Sequence, residues 1–170
     1  PNRFGGNFRL GASEAALTLE GPLFRKNKEK PAKTTLLFSV RRSYLQFLFE
    51  LIGVPIRPDY WDYQWKINHE IDPYNSIIFL GLGTIDDFSV KAPDDFDARQ
   101  QAAIEQVPII QQKTTTVGLS WKRKYKNGKG NMVTSISTNR LQNIFSRYQD
   151  NTRKSGILFK NDSYEQETKL

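Results

Sequence analysis

With a single histidine, His69, and no cysteine, the chain lacks the parts of a nucleophile–base pair, and it carries no Gly-X-Ser-X-Gly or glycine-rich phosphate loop. Disulfides and thiolate metal sites are excluded by the same count. The sequence therefore argues against an enzyme, and no cofactor is expected. Asp86, Asp87, Asp94, Asp95 and Asp97 offer the hard oxygen donors a calcium ion takes. Their spacing fits no EF-hand register, so ordinary loop solvation is expected and no metal. Basic residues collect in Arg25-Lys26-Asn27-Lys28-Glu29-Lys30 and in 122–129. A nucleic-acid surface would set such cations among stacking aromatics. Beside tight turns, they are better suited to water or anionic headgroups, and no nucleic-acid partner is expected.

The elements that place these groups follow from a two-residue rhythm. From Asp59 to Ile71 the odd positions run Asp59, Trp61, Tyr63, Trp65, Ile67, His69, Ile71, while Asp62, Gln64, Lys66, Asn68 and Glu70 alternate with them. A helix would scatter these residues around its circumference, so the stretch reads as a strand with one greasy face and one polar face. Looser versions recur at 15–23, 36–44 and 117–126. Asn75–Asp86 is apolar on both faces and carries Gly81 and Gly83, which predicts a strand with a crowded contact. Weaker strands are expected over 130–139 and 156–168. Asp72-Pro73-Tyr74 and Asn127-Gly128-Lys129 are tight hairpin signals. The connections 45–58, 87–113 and 140–155 look long, and 96–107 predicts a helix that opens at Asp97 and stops before Pro108. About seven antiparallel strands in an up-and-down meander follow, forming one unit over residues 1–170, with a short helix in an outer loop.

Length and composition leave two settings open. The net charge is +7, from 25 basic and 18 acidic residues, and hydrophobic residues make up 38% of the chain. Mean hydropathy is −0.60, and no stretch approaches the roughly 20 apolar residues of a membrane helix. Membrane barrels hide in such averages, because only alternate residues meet lipid. The best strands outrun the usual five or six residues and suffice for the roughly 9–11 of a tilted membrane strand. Tyr44, Trp61, Tyr63, Trp65, Trp121 and Tyr125 fall on apolar faces as interfacial aromatics would, and His69 joins them as an interfacial residue. Arg41, Asp62, Gln64, Lys66, Asn68 and Glu70 then face a hydrated interior. A soluble cell-envelope β-sheet binding module is the alternative.

Three runs resemble a known family: Gly6-Asn7-Phe8-Arg9-Leu10-Gly11; Ala16-Leu17-Thr18-Leu19-Glu20-Gly21-Pro22-Leu23; and Phe38-Ser39-Val40-Arg41-Arg42-Ser43-Tyr44-Leu45. So does Asp59-Tyr60-Trp61-Asp62-Tyr63-Gln64-Trp65-Lys66 followed by Phe79-Leu80-Gly81-Leu82-Gly83. Together they look like the early barrel of TonB-dependent outer-membrane receptors, in the branch whose plug follows a carboxypeptidase-regulatory-like domain. The resemblance covers roughly residues 5–90. It implies a barrel of about 22 strands filled by a plug, placed in the bacterial outer membrane and driven by an energy-transducing TonB-type inner-membrane partner. The cargo would be a scarce nutrient such as a metal chelate, cobalamin or glycan. It also implies that the polar-face residues contact the plug. Neither a plug nor the remaining strands are found here, and the chain opens at Pro1 without initiator methionine or signal peptide, as an excised piece of barrel wall would.

Overall fold

The structure is a computed structural model that describes residues 3–24, 31–91, 97–126, 128–151 and 153–170. Eight strands form one antiparallel sheet in sequence order: β1 (Gly5–Leu10), β2 (Glu14–Leu23), β3 (Thr34–Ser43), β4 (Ile56–Glu70), β5 (Asn75–Val90), β6 (Ile109–Lys124), β7 (Asn131–Asp150) and β8 (Ser155–Lys169). The sheet is an up-and-down meander that does not close on itself. The expected all-β meander is what forms, with one strand more than the sequence rhythm gave.

Two helices sit in connections at one end of the sheet, the loop end. α1 (Leu45–Leu51) follows β3 and α2 (Ala98–Glu105) follows β5. α2 falls inside the expected 96–107, and Asp97 caps it by accepting the Arg99 backbone N–H at 2.9 Å. α1 was not expected. It ends because Gly53 adopts φ +71°, which lets Gly53 N–H reach the Glu50 carbonyl (3.2 Å) and Val54 N–H reach that of Phe49 (2.8 Å).

The opposite end carries the turns at 71–74 and 125–130. Asp72 organises the first, accepting the backbone N–H groups of Tyr74 (2.7 Å) and Asn75 (2.9 Å) together with the Asn75 amide. Gly128 supplies the positive φ of the second, while Asn127 lies outside the described residues. The expected alternation of short and long connections breaks at 140–155: β7 runs on to Asp150, and 151–154 is a tight turn into β8. Leu141 and Phe145 face one side and Ile144 the other, so this stretch shows no single greasy face to read from sequence.

Asn151 holds that turn. It is 1% exposed, donates from Nδ2 to the carbonyls of Glu105 (2.6 Å) and Val107 (2.5 Å), and accepts the Tyr148 N–H at 2.6 Å. One amide thus ties the end of α2 to the β7–β8 turn. Asn151→Leu leaves three part-buried backbone groups without this partner and is expected to cost the loop end about 1–3 kcal/mol. Hydrogen exchange at Val107 and Tyr148 checks it. Acceleration confined to these segments is the expected result, and unchanged exchange would refute the bracing role.

Among the described residues no second layer covers either face of the sheet. Among the described residues the buried hydrophobic ones are Val90, Ile104 and Ile109, all at the loop end. What would be a core in a sandwich is here one exposed face.

Candidate functional site

The register sorts the side chains. Phe38, Trp65 and Gly81 pair across β3–β5, as do Val40, Tyr63 and Gly83, and Leu36, Ile67 and Phe79. Continuing through β6 adds Val117, Leu119 and Trp121. These residues share one side, the aromatic face. Trp65 stacks edge-on against Phe79 with centroids 4.6 Å apart. Phe79 is 43% exposed, Leu119 46% and Trp61 38%, while Tyr63 and Trp65 are half-buried, so none of the three expected aromatics of β4 is fully enclosed among the described residues. The crowded contact expected at Gly81 and Gly83 lies on this face, where Trp65 and Tyr63 lie across the two glycines.

The apolar band is bounded. Toward the loop end it gives way to Arg42 and Asp59, paired at 2.9 Å, then to Asp87, Gln111 and Lys113, and on β7 to Arg140 and Gln142. Arg42 also lies over Trp61, 4.7 Å from its centroid. Trp121 sits on the aromatic face, with Tyr125 in the turn beyond it. Tyr44 does not take its expected place on this face. It leaves β3 at the start of α1, and its hydroxyl donates to the carbonyls of Gly11 and Glu14, because the chain turns away there to enter the helix. His69 meets Thr34 at 2.8 Å near the short turns.

Arg41, Asp62, Gln64, Lys66, Asn68 and Glu70 occupy the opposite face, all in one phase. Arg41, Asp62 and Gln64 meet in a hollow of about 470 Å³, lined also by Asn7, Arg9, Thr18 and Ser39. Charges alternate across it: Arg9 pairs with Glu14, Glu14 with Arg41 at 3.2 Å, and Arg41 with Asp62 at 2.7 Å. Arg41 also lies over the Tyr60 ring at 5.8 Å. Each pair is part-exposed and contributes only about 0.2–1 kcal/mol. The chain of ions therefore makes an open, polar concavity more than a stability device. Lys66, Asn68 and Glu70 continue this face toward the short turns, where Glu70 borders a second, smaller hollow with Lys122 and Lys124. Arg9 and Glu14 escaped the sequence reading because only strand register brings them beside Arg41.

The polar face is not uniform. β5 sets Ile78, Leu80 and Leu82 on it, opposite the polar residues of β4. Phe145 and Phe159 stack near the loop end, with centroids 6.1 Å apart.

Among the described residues no group of three or more metal-ligating side chains converges. Asp87 accepts from Gln111, while Asp86 accepts from Thr84 on the other face; Asp94 and Asp95 lie outside the described residues. Of the two basic runs, 25–30 also lies outside them. In the other, Lys122 and Lys124 take the polar face and Arg123 the aromatic face. Compared with known proteins, the chain matches no family model, no curated protein and no solved structure.

Proposed function

We propose that this chain is a stretch of wall from an outer-membrane β-barrel, and that the barrel belongs to an active nutrient importer of the TonB-dependent type, not to an enzyme. One observation carries the wall reading: a single-layer, eight-stranded sheet keeps a band of large apolar side chains on one face with no second layer over it among the described residues. Water-facing exposure of Phe79, Leu119 and Trp61, each less than half exposed, would forgo roughly 0.6–1.4 kcal/mol per side chain relative to full burial. Hydrocarbon removes that cost. On β5 the band runs from Ile77 to Ile85, about 26 Å along the strand at ~3.3 Å per residue. Tilted by about 40°, that is near 20 Å of height, comparable with the roughly 25 Å apolar belt of membrane barrels.

On this reading lipid covers the aromatic face. The alternating ions at Arg9, Glu14, Arg41 and Asp62 face a watery interior, where a plug domain and the nutrient ligand would contact Arg41, Asp62, Gln64, Lys66, Asn68 and Glu70. Remaining barrel strands would pair with the free edges of β1 and β8, since unpaired backbone groups in hydrocarbon cost several kcal/mol each. The importer half rests on the resemblance of residues 5–90 and on this interior polarity. An energy-transducing inner-membrane protein would complete it.

Detergent dependence tests the wall. The chain should stay dispersed and β-structured in detergent and sediment from detergent-free buffer. A detergent with brominated tails should quench the fluorescence of Trp65. A dispersed, folded monomer in plain buffer would instead establish the soluble envelope module. For the importer half, the flanking coding sequence decides: a plug-like segment upstream and further strands downstream are expected.

A further inference from the structure

We propose that the short-turn end binds the phosphate of an anionic phospholipid, through Arg123, Lys124 and Lys126 set against Tyr74 and Tyr125. The proposal rests on the wall reading above. A hollow of about 430 Å³ opens between the 71–74 turn and the end of β6, and these residues line it. Lys126 Nζ lies 5.7 Å from the centre of the Tyr74 ring.

The hollow holds more positive charge than its surroundings answer. Lys122, Arg123, Lys124 and Lys126 form no ion pair among the described residues. Among the described residues of the 71–74 and 125–130 turns and their flanks, the carboxylates are Asp72 and Glu70. Asp72 is already engaged: both its oxygens accept the Asn75 amide (3.1 and 2.8 Å), and Oδ1 also accepts the N–H groups of Tyr74 and Asn75. The Asn75 side-chain bond, above all, holds its pKa below the usual carboxylate range, and the charge of Arg123 adds the smallest part. Glu70 points to the polar face beside Lys122 and Lys124. Like charges gathered without an anion repel one another, and an external anion relieves that repulsion.

The position of the cations selects a lipid over a free anion. Arg123 follows Trp121 by two residues on the aromatic face, below Leu119 and Val117. A phosphate held at Arg123 lets its acyl chains lie along that apolar strip, while Tyr74 and Tyr125 supply rings with an apolar body and a polar tip at headgroup level. Inorganic phosphate would make no use of the strip.

The test compares the whole chain with two variants that lose equal charge: Arg123→Gln/Lys124→Gln/Lys126→Gln at the site, and Lys113→Gln/Arg140→Gln/Lys160→Gln toward the loop end. Partitioning is followed by tryptophan fluorescence at low salt, into vesicles of phosphatidylcholine alone and vesicles with about one-third phosphatidylglycerol. Each cation close to an anionic leaflet contributes about fivefold, so the parent chain should prefer the anionic vesicles by on the order of 100-fold. The site variant should lose most of that preference and the loop-end variant should keep it. Equal loss in both variants would reduce the effect to net charge and overturn the site. Loss of preference on adding inorganic phosphate, beyond that caused by chloride of equal ionic strength, would make it a free-phosphate site and overturn the lipid. Failure to enter either kind of vesicle would overturn the wall reading itself, and the site with it.

Discussion

Phe79→Lys is expected to destabilise the chain in a phosphatidylcholine bilayer by about 1–3 kcal/mol, the cost of a cation on the lipid side of a barrel between mid-belt and its edge. Leu82→Lys, three residues on, should change stability by less than about 1 kcal/mol, because a substitution toward a hydrated interior does not bring a charge into hydrocarbon. The two residues are equally large, apolar and open, at 43% and 46% exposure, and sit on the same strand. They differ in the face they occupy: Phe79 pairs with Ile67 and Leu119, and Leu82 with Gln64 and Thr116. Composition and exposure therefore predict the same outcome for both, and only the two-solvent reading separates them. If both faces met water, each lysine would be close to neutral or would improve solubility. Urea titration of the refolded variants in vesicles measures the difference, and equal values for the two would remove the membrane assignment.

What the sequence made legible tracks how differently the two faces are solvated. β4 was read almost to its ends because Trp61, Tyr63, Trp65 and Ile67 alternate without exception with Asp62, Gln64 and Lys66. The start of β6, Gln111 to Thr116, is polar on both faces, so alternation gives no signal there, and β6 begins at Ile109 where a long connection was expected. The second half of β7 fails for the related reason that Leu141, Ile144 and Phe145 straddle both faces. β1 is short and flanked by glycines, and only its pairing with β2 defines it. α1 hides in an apolar run too brief for a helical period, although Gly53 marks its end.

The candidate site divides along the same line. The phase of β4 was enough to put Asp62, Gln64, Lys66, Asn68 and Glu70 on one face. The ion chain from Arg9 through Glu14 to Arg41 depends on register across strands, which no local pattern encodes. Tyr44 is the reverse case: its parity was right for the aromatic face, but the strand ended one residue earlier, and the ring was claimed by backbone carbonyls. Asn151, the largest fully buried side chain among the described residues, carries little local sequence signal, because two of its three partners lie 44 and 46 residues away.

The glycines of β5 supply a test that separates steric design from strand propensity. A Cβ at Gly81 would stand 2.4 Å from Cε2 and Cζ2 of Trp65. One at Gly83 would stand 2.6 Å from both the Tyr63 hydroxyl and the backbone carbonyl of Thr114. One at Gly118 meets only ordinary contacts, at 3.5 Å from Leu80. Glycine inside a strand is otherwise a cost of roughly 0.5–1 kcal/mol relative to alanine, so Gly118→Ala should be neutral or mildly stabilising. Gly81→Ala should cost about 1–3 kcal/mol, as overpacking does. Placed in a Trp65→Ala background, the same change should cost nothing, because the obstructing ring is gone. Gly83→Ala should cost at least as much, yet Tyr63→Ala should restore only part of it, since the Thr114 carbonyl belongs to the β6 ladder and cannot step aside. Double-mutant cycles in detergent measure these couplings. Full rescue at Gly83, or none at Gly81, would mean that the rings do not lie across β5 as described, and that the aromatic face owes its order to something other than these two glycines.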